Sequence, residues 1–264
     1  MILMALEKSD AIVLKAYNWA ESSRTIIFFT KKYGKLALFD KGGRSIKTKR
    51  GRIIPFAPLE LTFYNSEKET TGYISDIDIR ETFSFEKDGT LGRLAYASAG
   101  AELLMMLLPE EEPQRQLFSY YINYLQYIDR AGKQFIPALF ITFFLRLLSQ
   151  LGYHPSIKYC ITCNIEIALQ NSTPIMFGAD IGGTVCETCQ KAGDYYISFS
   201  PEMFKIFASL QTASLQEAAT VPIGLSQVTI LQEALIRFIS TQMQKNYELK
   251  SLAFIEKLKN SNTK

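Results

Sequence analysis

Four cysteines, the only ones in the chain, fall into two pairs: Cys160-Ile161-Thr162-Cys163 and Cys186-Glu187-Thr188-Cys189, with 22 residues between them. Two C-x-x-C pairs in tandem are the sequence form of a tetrahedral Cys₄ zinc site. Each short turn points two thiolates at one ion, and the intervening segment only has to bring the second pair back. The expected ligands are Cys160, Cys163, Cys186 and Cys189. Four thiolates leave no open position for water, so the expected Zn²⁺ is structural rather than catalytic. Disulfides would need an oxidising compartment, and a redox C-x-x-C normally comes singly. The one histidine, His154, is followed by Pro155 and Ser156. The H-x-E that accompanies the cysteines of zinc deaminases is therefore missing. His154 is expected to pack or cap in the turn after a helix.

The segment between the pairs, Asn164 to Val185, is rich in Ser, Thr, Pro and Gly. It has room for a small hairpin but not for much core, and a metal supplies folding free energy to such a module directly. Asn164 follows the first pair, where a knuckle turn favours a residue that tolerates the left-handed conformation.

The second chemistry is electrostatic. From Lys31 to Arg52 there are nine Lys or Arg and one acid, Asp40; against a total of +3, the rest of the chain carries −5. A basic element on a mildly acidic body argues for a polyanionic partner. Lys35, Lys41, Arg44, Lys47, Lys49, Arg50 and Arg52 are the expected phosphate contacts, and Gly42, Gly43 and Gly51 let the loop follow a backbone closely. Phe28, Phe29, Tyr33, Phe39 and Phe63 are interleaved with this run or lie near it. Strand alternation must send some of these rings inward, so the sequence does not say which could stack on bases. Lys41-Gly42-Gly43-Arg44 lacks the spacing of a phosphate-binding Walker loop. No paired acid and base and no nucleophile elbow appears, so no catalytic residue and no small-molecule substrate is expected.

Positioning these groups takes two kinds of element. Residues 10 to 80 hold five short β-branched or aromatic runs: 10–17, 24–30, 35–39, 59–64 and 71–79. Five strands in about 70 residues favour a small closed OB-like barrel, whose strand 2–3 face and loops bind single strands. From Thr90 the pattern is helical. One run ends at Pro109. The next has Pro113 in its first turn and extends to about Asp129, and a third, about Phe135 to Leu151, is apolar nearly all round. The charge-free stretch Phe135 to Leu145 spans about 16 Å as a helix, half of a bilayer core, so it is a core helix and not a membrane span. Ser200 and Pro201 open another helix, and Leu225 to about Lys245 forms a further one. The expected class is α+β multidomain: an OB-like barrel (1–80), an all-α domain (81–155 and 196–264), and a Cys₄ zinc module inserted in it (156–195). The short apolar start, interrupted at Glu7, is no export signal. A soluble, cytoplasmic setting follows.

Several short motifs in order resemble the RecO family of bacterial recombination mediators: Ala11-Ile12-Val13-Leu14-Lys15, Glu21-Ser22-Ser23-Arg24, Phe28-Phe29-Thr30, Tyr33-Gly34-Lys35, Lys41-Gly42-Gly43-Arg44, Leu151-Gly152-Tyr153-His154-Pro155 leading into the two cysteine pairs, and Lys250-Ser251-Leu252. The resemblance covers nearly the whole chain. It implies an N-terminal OB fold and a helical domain with a structural zinc module. It implies binding of single- and double-stranded DNA, annealing of complementary strands and, with RecR, loading of RecA onto DNA coated by single-strand-binding protein, without cofactor turnover. It also implies contact with the C-terminal tail of the single-strand-binding protein, and an association with the nucleoid. One departure is that the helical part has few basic clusters beyond Lys245, Lys250, Lys257 and Lys259. The residues alone leave three alternatives open: an RNA-binding OB and zinc-knuckle protein, a zinc-dependent enzyme, or a non-catalytic interaction scaffold.

Overall fold

A computed structural model of the protein describes residues 5–19, 21–43, 53–65, 72–85, 90–169 and 173–254. The chain divides into two compact units, Met1–Asp129 and Arg130–Lys264.

Alternation of apolar residues builds the first unit. The strands are β1 (Ala5–Trp19), β2 (Ser23–Thr30), β3 (Gly34–Asp40), β4 (Pro58–Asn65) and β5 (Gly72–Ile79). They follow one another around a ring in the order β1-β2-β3-β5-β4, and β4 pairs back onto β1. Every pairing is antiparallel except β3 with β5, where closure rests on two parallel partner pairs, Leu38–Gly72 and Phe39–Tyr73. This is the expected OB-like arrangement. A register shift between Val13 and Lys15 bends the long β1, which gives its first half to β4 and its second half to β2. Val13, Ile26, Phe28, Leu38, Leu61 and Phe63 fill the interior. Truncating a ring such as Phe28 costs about 3–5 kcal/mol at a site of this kind.

Two helices complete this unit: α1 (Thr90–Leu107) and α2 (Arg115–Arg130). Pro113 lies just ahead of α2 rather than in its first turn. The chain is not yet helical there: Glu111 has φ +57° and its N–H donates to Lys35 O across the connection. Gly34 explains why the β2–β3 turn needs glycine. Its φ is +70°, and a Cβ there would sit 2.2 Å from Glu112 O. Phe29, an outward position by alternation, is nonetheless buried, because it packs edge-on against Phe118 of α2 at 5.4 Å.

The second unit is organised around α3 (Ile136–Gln150). Twelve of its 15 residues are buried, which leaves it no lipid-facing side and makes it a core helix. α4 (Pro201–Thr212), the short α5 (Leu215–Ala218) and α6 (Leu225–Gln242) pack on it. Ser200 caps α4 as expected, accepting from Met203 N with Pro201 in the first turn. Leu231, Leu235, Phe238 and Ile239 form the buried face of α6. Between α3 and α4 lies a three-stranded sheet, ordered β7 (Gly183–Val185), β6 (Ile175–Gly178), β8 (Ile197–Phe199). Residues 250–254 are again helical. Among the described residues, no helix is long and apolar enough to cross a membrane.

Candidate metal centre and nucleic-acid face

Two unlike turns present the cysteines. The first is a knuckle: Asn164 N donates to Cys160 O at 2.9 Å, Cys160 N donates to Ile165 O at 2.8 Å, and Asn164 takes φ +57°. Asn pays less than most residues for that conformation because its short polar side chain supports it. The second pair sits on a single 3₁₀ turn, Glu187–Cys189, with Cys189 N donating to Cys186 O at 3.0 Å.

Backbone bonds hold the two turns together. Ile161 N donates to Thr184 O at 2.9 Å, and Ser156 exchanges bonds with Gly182 O and Thr184 N at 3.0 and 2.8 Å. The approach is so close that a Cβ on Gly183 would meet Ser156 O at 2.4 Å. As a result the four Sγ atoms lie within 4.8 Å of one another, with Cys163 and Cys186 3.7 Å apart. Four thiolates at 2.3 Å from one tetrahedral ion stand about 3.8 Å apart. The donor set and its spacing fit a metal ion.

Electrostatics point the same way. Burial alone would raise the Cys160 thiol. Backbone N–H groups of Cys186, Cys163 and Thr162 outweigh it and bring the thiol down to about 6. Cys189 is pushed up to about 12, first by its bonds to Cys186 and Cys163. Thiolates this close repel one another, so without a cation the cluster keeps protons; a bound metal ion displaces them. His154 is exposed and stands outside the cluster.

Around the centre the sheet is anchored by side chains that sequence reasoning missed. Phe177, Phe199 and Phe207 of β6, β8 and α4 form an aromatic triplet with centroids 5.5–5.9 Å apart. The β6–β7 turn carries Asp180, which accepts two bonds from Arg237 of α6, from Nε at 3.0 Å and from Nη2 at 2.6 Å. Thr241 Oγ1 donates to the same carboxylate at 2.9 Å, and the Tyr195 ring lies 3.9 Å from the guanidinium. The Arg237 bonds hold the Asp180 carboxyl below its ordinary value against an opposing contribution from burial, and Thr241 adds to the lowering. Arg237 and Thr241 stand four residues apart on one helix face, the only trace of this clasp in the sequence.

The basic run begins from a fixed base. Arg24 Nε donates to Asp40 Oδ2 at 2.9 Å, and Arg24 Nη2 donates to Gly43 O at 3.4 Å. Asp40 is fully buried, so this pair sits in the barrel wall and ties the end of β3 to β2. Lys41 is exposed directly after it. Lys35 has another job: its Nζ donates to Met105 O and Leu108 O at 3.0 and 2.7 Å, capping the C-terminus of α1. Arg44, Lys47, Lys49, Arg50 and Arg52 lie outside the described residues. Of the aromatics near the run, Phe28, Phe29 and Phe63 are core, while Tyr33 and Phe39 are half-buried.

Comparison with known proteins settles the lineage. Residues 4–83 match the family model "Recombination protein O N terminal", and residues 89–253 match "Recombination protein O C terminal". The chain belongs to the RecO family. Curated relatives named DNA repair protein RecO match this chain over most or nearly all of its length. The one from Symbiobacterium thermophilum is 25% identical across 98% of this chain and all of its own. That from Pelotomaculum thermopropionicum is 25% identical across 96% and 95%, and that from Thermoanaerobacter sp. is 32% identical across 71% and 72%. Within the RecO frame the basic run falls in the N-terminal part and both cysteine pairs in the C-terminal part.

Proposed function

We propose that this protein is a DNA repair and recombination mediator. It binds single- and double-stranded DNA, anneals complementary strands and, with RecR, helps load RecA onto DNA coated by single-strand-binding protein. What supports the reading is the match of both RecO family models in tandem over a barrel whose β3 opens into the basic run. The barrel, residues 1–80, takes the nucleic acid through Lys41, Arg44, Lys47, Lys49, Arg50 and Arg52. Residues 156–195 hold a structural Zn²⁺ on Cys160, Cys163, Cys186 and Cys189. The C-terminal tail of the single-strand-binding protein goes to the helical part of the chain, residues 81–155 and 196–264. The protein works in the cytoplasm, at the nucleoid.

No catalysis by the protein is needed. Lys and Arg on one surface neutralise phosphates of two strands together and release their counterions, which lowers the repulsion that keeps complementary strands apart. Zinc contributes folding free energy to the cysteine module and takes no part in chemistry. The direct test is annealing of two labelled complementary oligonucleotides precoated with single-strand-binding protein, at low and moderate salt. Acceleration that fades with salt is the expected result; no acceleration at either salt from folded, zinc-loaded protein overturns the reading.

A further inference from the structure

One register level on the outer wall of the barrel carries a nearly continuous aromatic row. Partner pairs run Tyr17–Thr25, Thr25–Phe39, Phe39–Tyr73 and Tyr73–Tyr64, across β1, β2, β3, β5 and β4 in turn. Tyr17 is 41% exposed, Tyr64 and Tyr73 are each 38% exposed, and Trp19, beside the row on β1, is 59% exposed. The rest of the wall is treated differently. Phe29 is covered by Phe118 of α2, and Glu60 of β4 stands between Lys8 of β1 and Arg80, just after β5, in surface ion pairs. Single exposed rings are ordinary, but rings joined in register across four strands form a patch with a use.

These rings are held in place. Trp19 Nε1 donates to Thr25 Oγ1 at 3.0 Å, which pins one edge to β2. The Lys15 ammonium stands 4.9 Å from the Tyr17 ring centre. Phe39 and Tyr73 meet edge to face at 6.0 Å. Partly exposed rings held this way offer large contact area at little entropic cost. The surrounding charge selects the ligand. On the β1–β3 side, β2, β3 and the part of β1 from Lys15 to Trp19 contain one acid, Asp40, and it is buried against Arg24, whereas the acids of the row's other side, Glu60, Asp76 and Asp78, lie on β4 and β5. Lys15 flanks the row, and Lys41 at the end of β3 opens the basic run.

We propose that this row is a stacking platform for the unpaired bases of a single-stranded nucleic acid whose phosphates run toward the basic segment. The proposal rests on the DNA-binding reading above and adds to it a base-contacting surface. A duplex, whose bases are already stacked on one another, gains nothing from these rings, so the platform favours single strands.

Trp19 is the only tryptophan in the chain, so its emission reports on this face alone. The full-length, zinc-loaded protein is titrated with a labelled oligothymidylate and with an abasic oligonucleotide of equal length. Label anisotropy reads binding and tryptophan emission reads stacking. Both are expected to bind, the oligothymidylate more tightly by about tenfold or more, and it alone quenches Trp19. In a Tyr17→Leu/Tyr73→Leu variant the preference for bases collapses while abasic binding persists, which also shows that the barrel still folds. Equal affinities with unaltered Trp19 emission overturn the platform and leave the row to a protein partner, with DNA binding intact. Failure of both oligonucleotides to bind overturns the DNA-binding reading and the platform with it.

Discussion

The cysteine module and the barrel wall assemble their sites in opposite ways. In the module, each pair of thiols is set by one turn of contiguous chain, and a few backbone bonds bring the two turns within reach. On the barrel, Tyr17, Thr25, Phe39 and Tyr73 come from four different strands and become neighbours only through register. The first site needs only two local turns and the few backbone bonds that join them. The second depends on a core that lies on the other side of the same strands. A metal ligand set therefore survives as a local pattern, while a binding face is a by-product of how the barrel closes.

That contrast is open to attack, and the largest effect belongs to the module. Cys160→Ser removes the one buried ligand thiol and forfeits much of the roughly 10–16 kcal/mol that a structural zinc site supplies to small modules. Bound zinc measured by atomic emission is expected to fall from one ion per chain to near zero, while oligonucleotide affinity holds. Affinity falling in step with zinc would break the separation of the two sites.

Arg24→Ala comes next. It removes the charged partner of the buried Asp40 carboxylate, a change that costs about 3–5 kcal/mol at buried pairs. Urea unfolding should show that loss, and oligonucleotide binding should weaken too, because the pair anchors the start of the basic run. Lys35→Met sharpens the assignment within the run itself. Without the cap on α1, stability should fall by about 1 kcal/mol, with no change in the salt dependence of oligonucleotide binding. A shallower salt dependence would return Lys35 to the phosphate contacts.

The smallest effect is the Asp180 clasp. Both partners are partly open to water, so Asp180→Asn should cost no more than about 1 kcal/mol near neutral pH. The Asp180 carboxyl is held below its ordinary value. Its contribution is thus complete above the unfolded carboxylate pKa and is lost as pH falls through the folded one. Melting curves of the parent and the Asn variant should converge on acidification; a gap that widened in acid would contradict this origin.

Much of this was legible in the sequence, for identifiable reasons. The two cysteine turns, the left-handed Asn164, the Ser200 cap and the buried α3 are all written in contiguous residues, and local chemistry is enough to place each one. The five strands were legible from alternation, and closure into a small OB-like barrel from their number, while the ring order with its parallel β3–β5 pair was not. What escaped depends on long-range pairing. β8 is three residues long and exists because β6 has a free edge. The Asp180–Arg237 clasp joins residues 57 apart in the chain. The charge of Lys35 is visible in the sequence, while the α1 carbonyls that its ammonium binds are not. Phe29, Phe39 and Phe63 read alike, yet one lies under α2, one faces outward and one fills the barrel.

The measurement that most directly tests the division of labour is the salt dependence of oligonucleotide affinity for the parent protein and for the variant with Lys47, Lys49, Arg50 and Arg52 all replaced by Ala, each with its zinc content verified. The slope of log K against log salt should fall by about 0.7 for each single-strand phosphate that the variant no longer neutralises, with zinc content and melting temperature unchanged. An unaltered slope in a folded, zinc-loaded variant would contradict the account and move the DNA-binding surface away from the segment after β3.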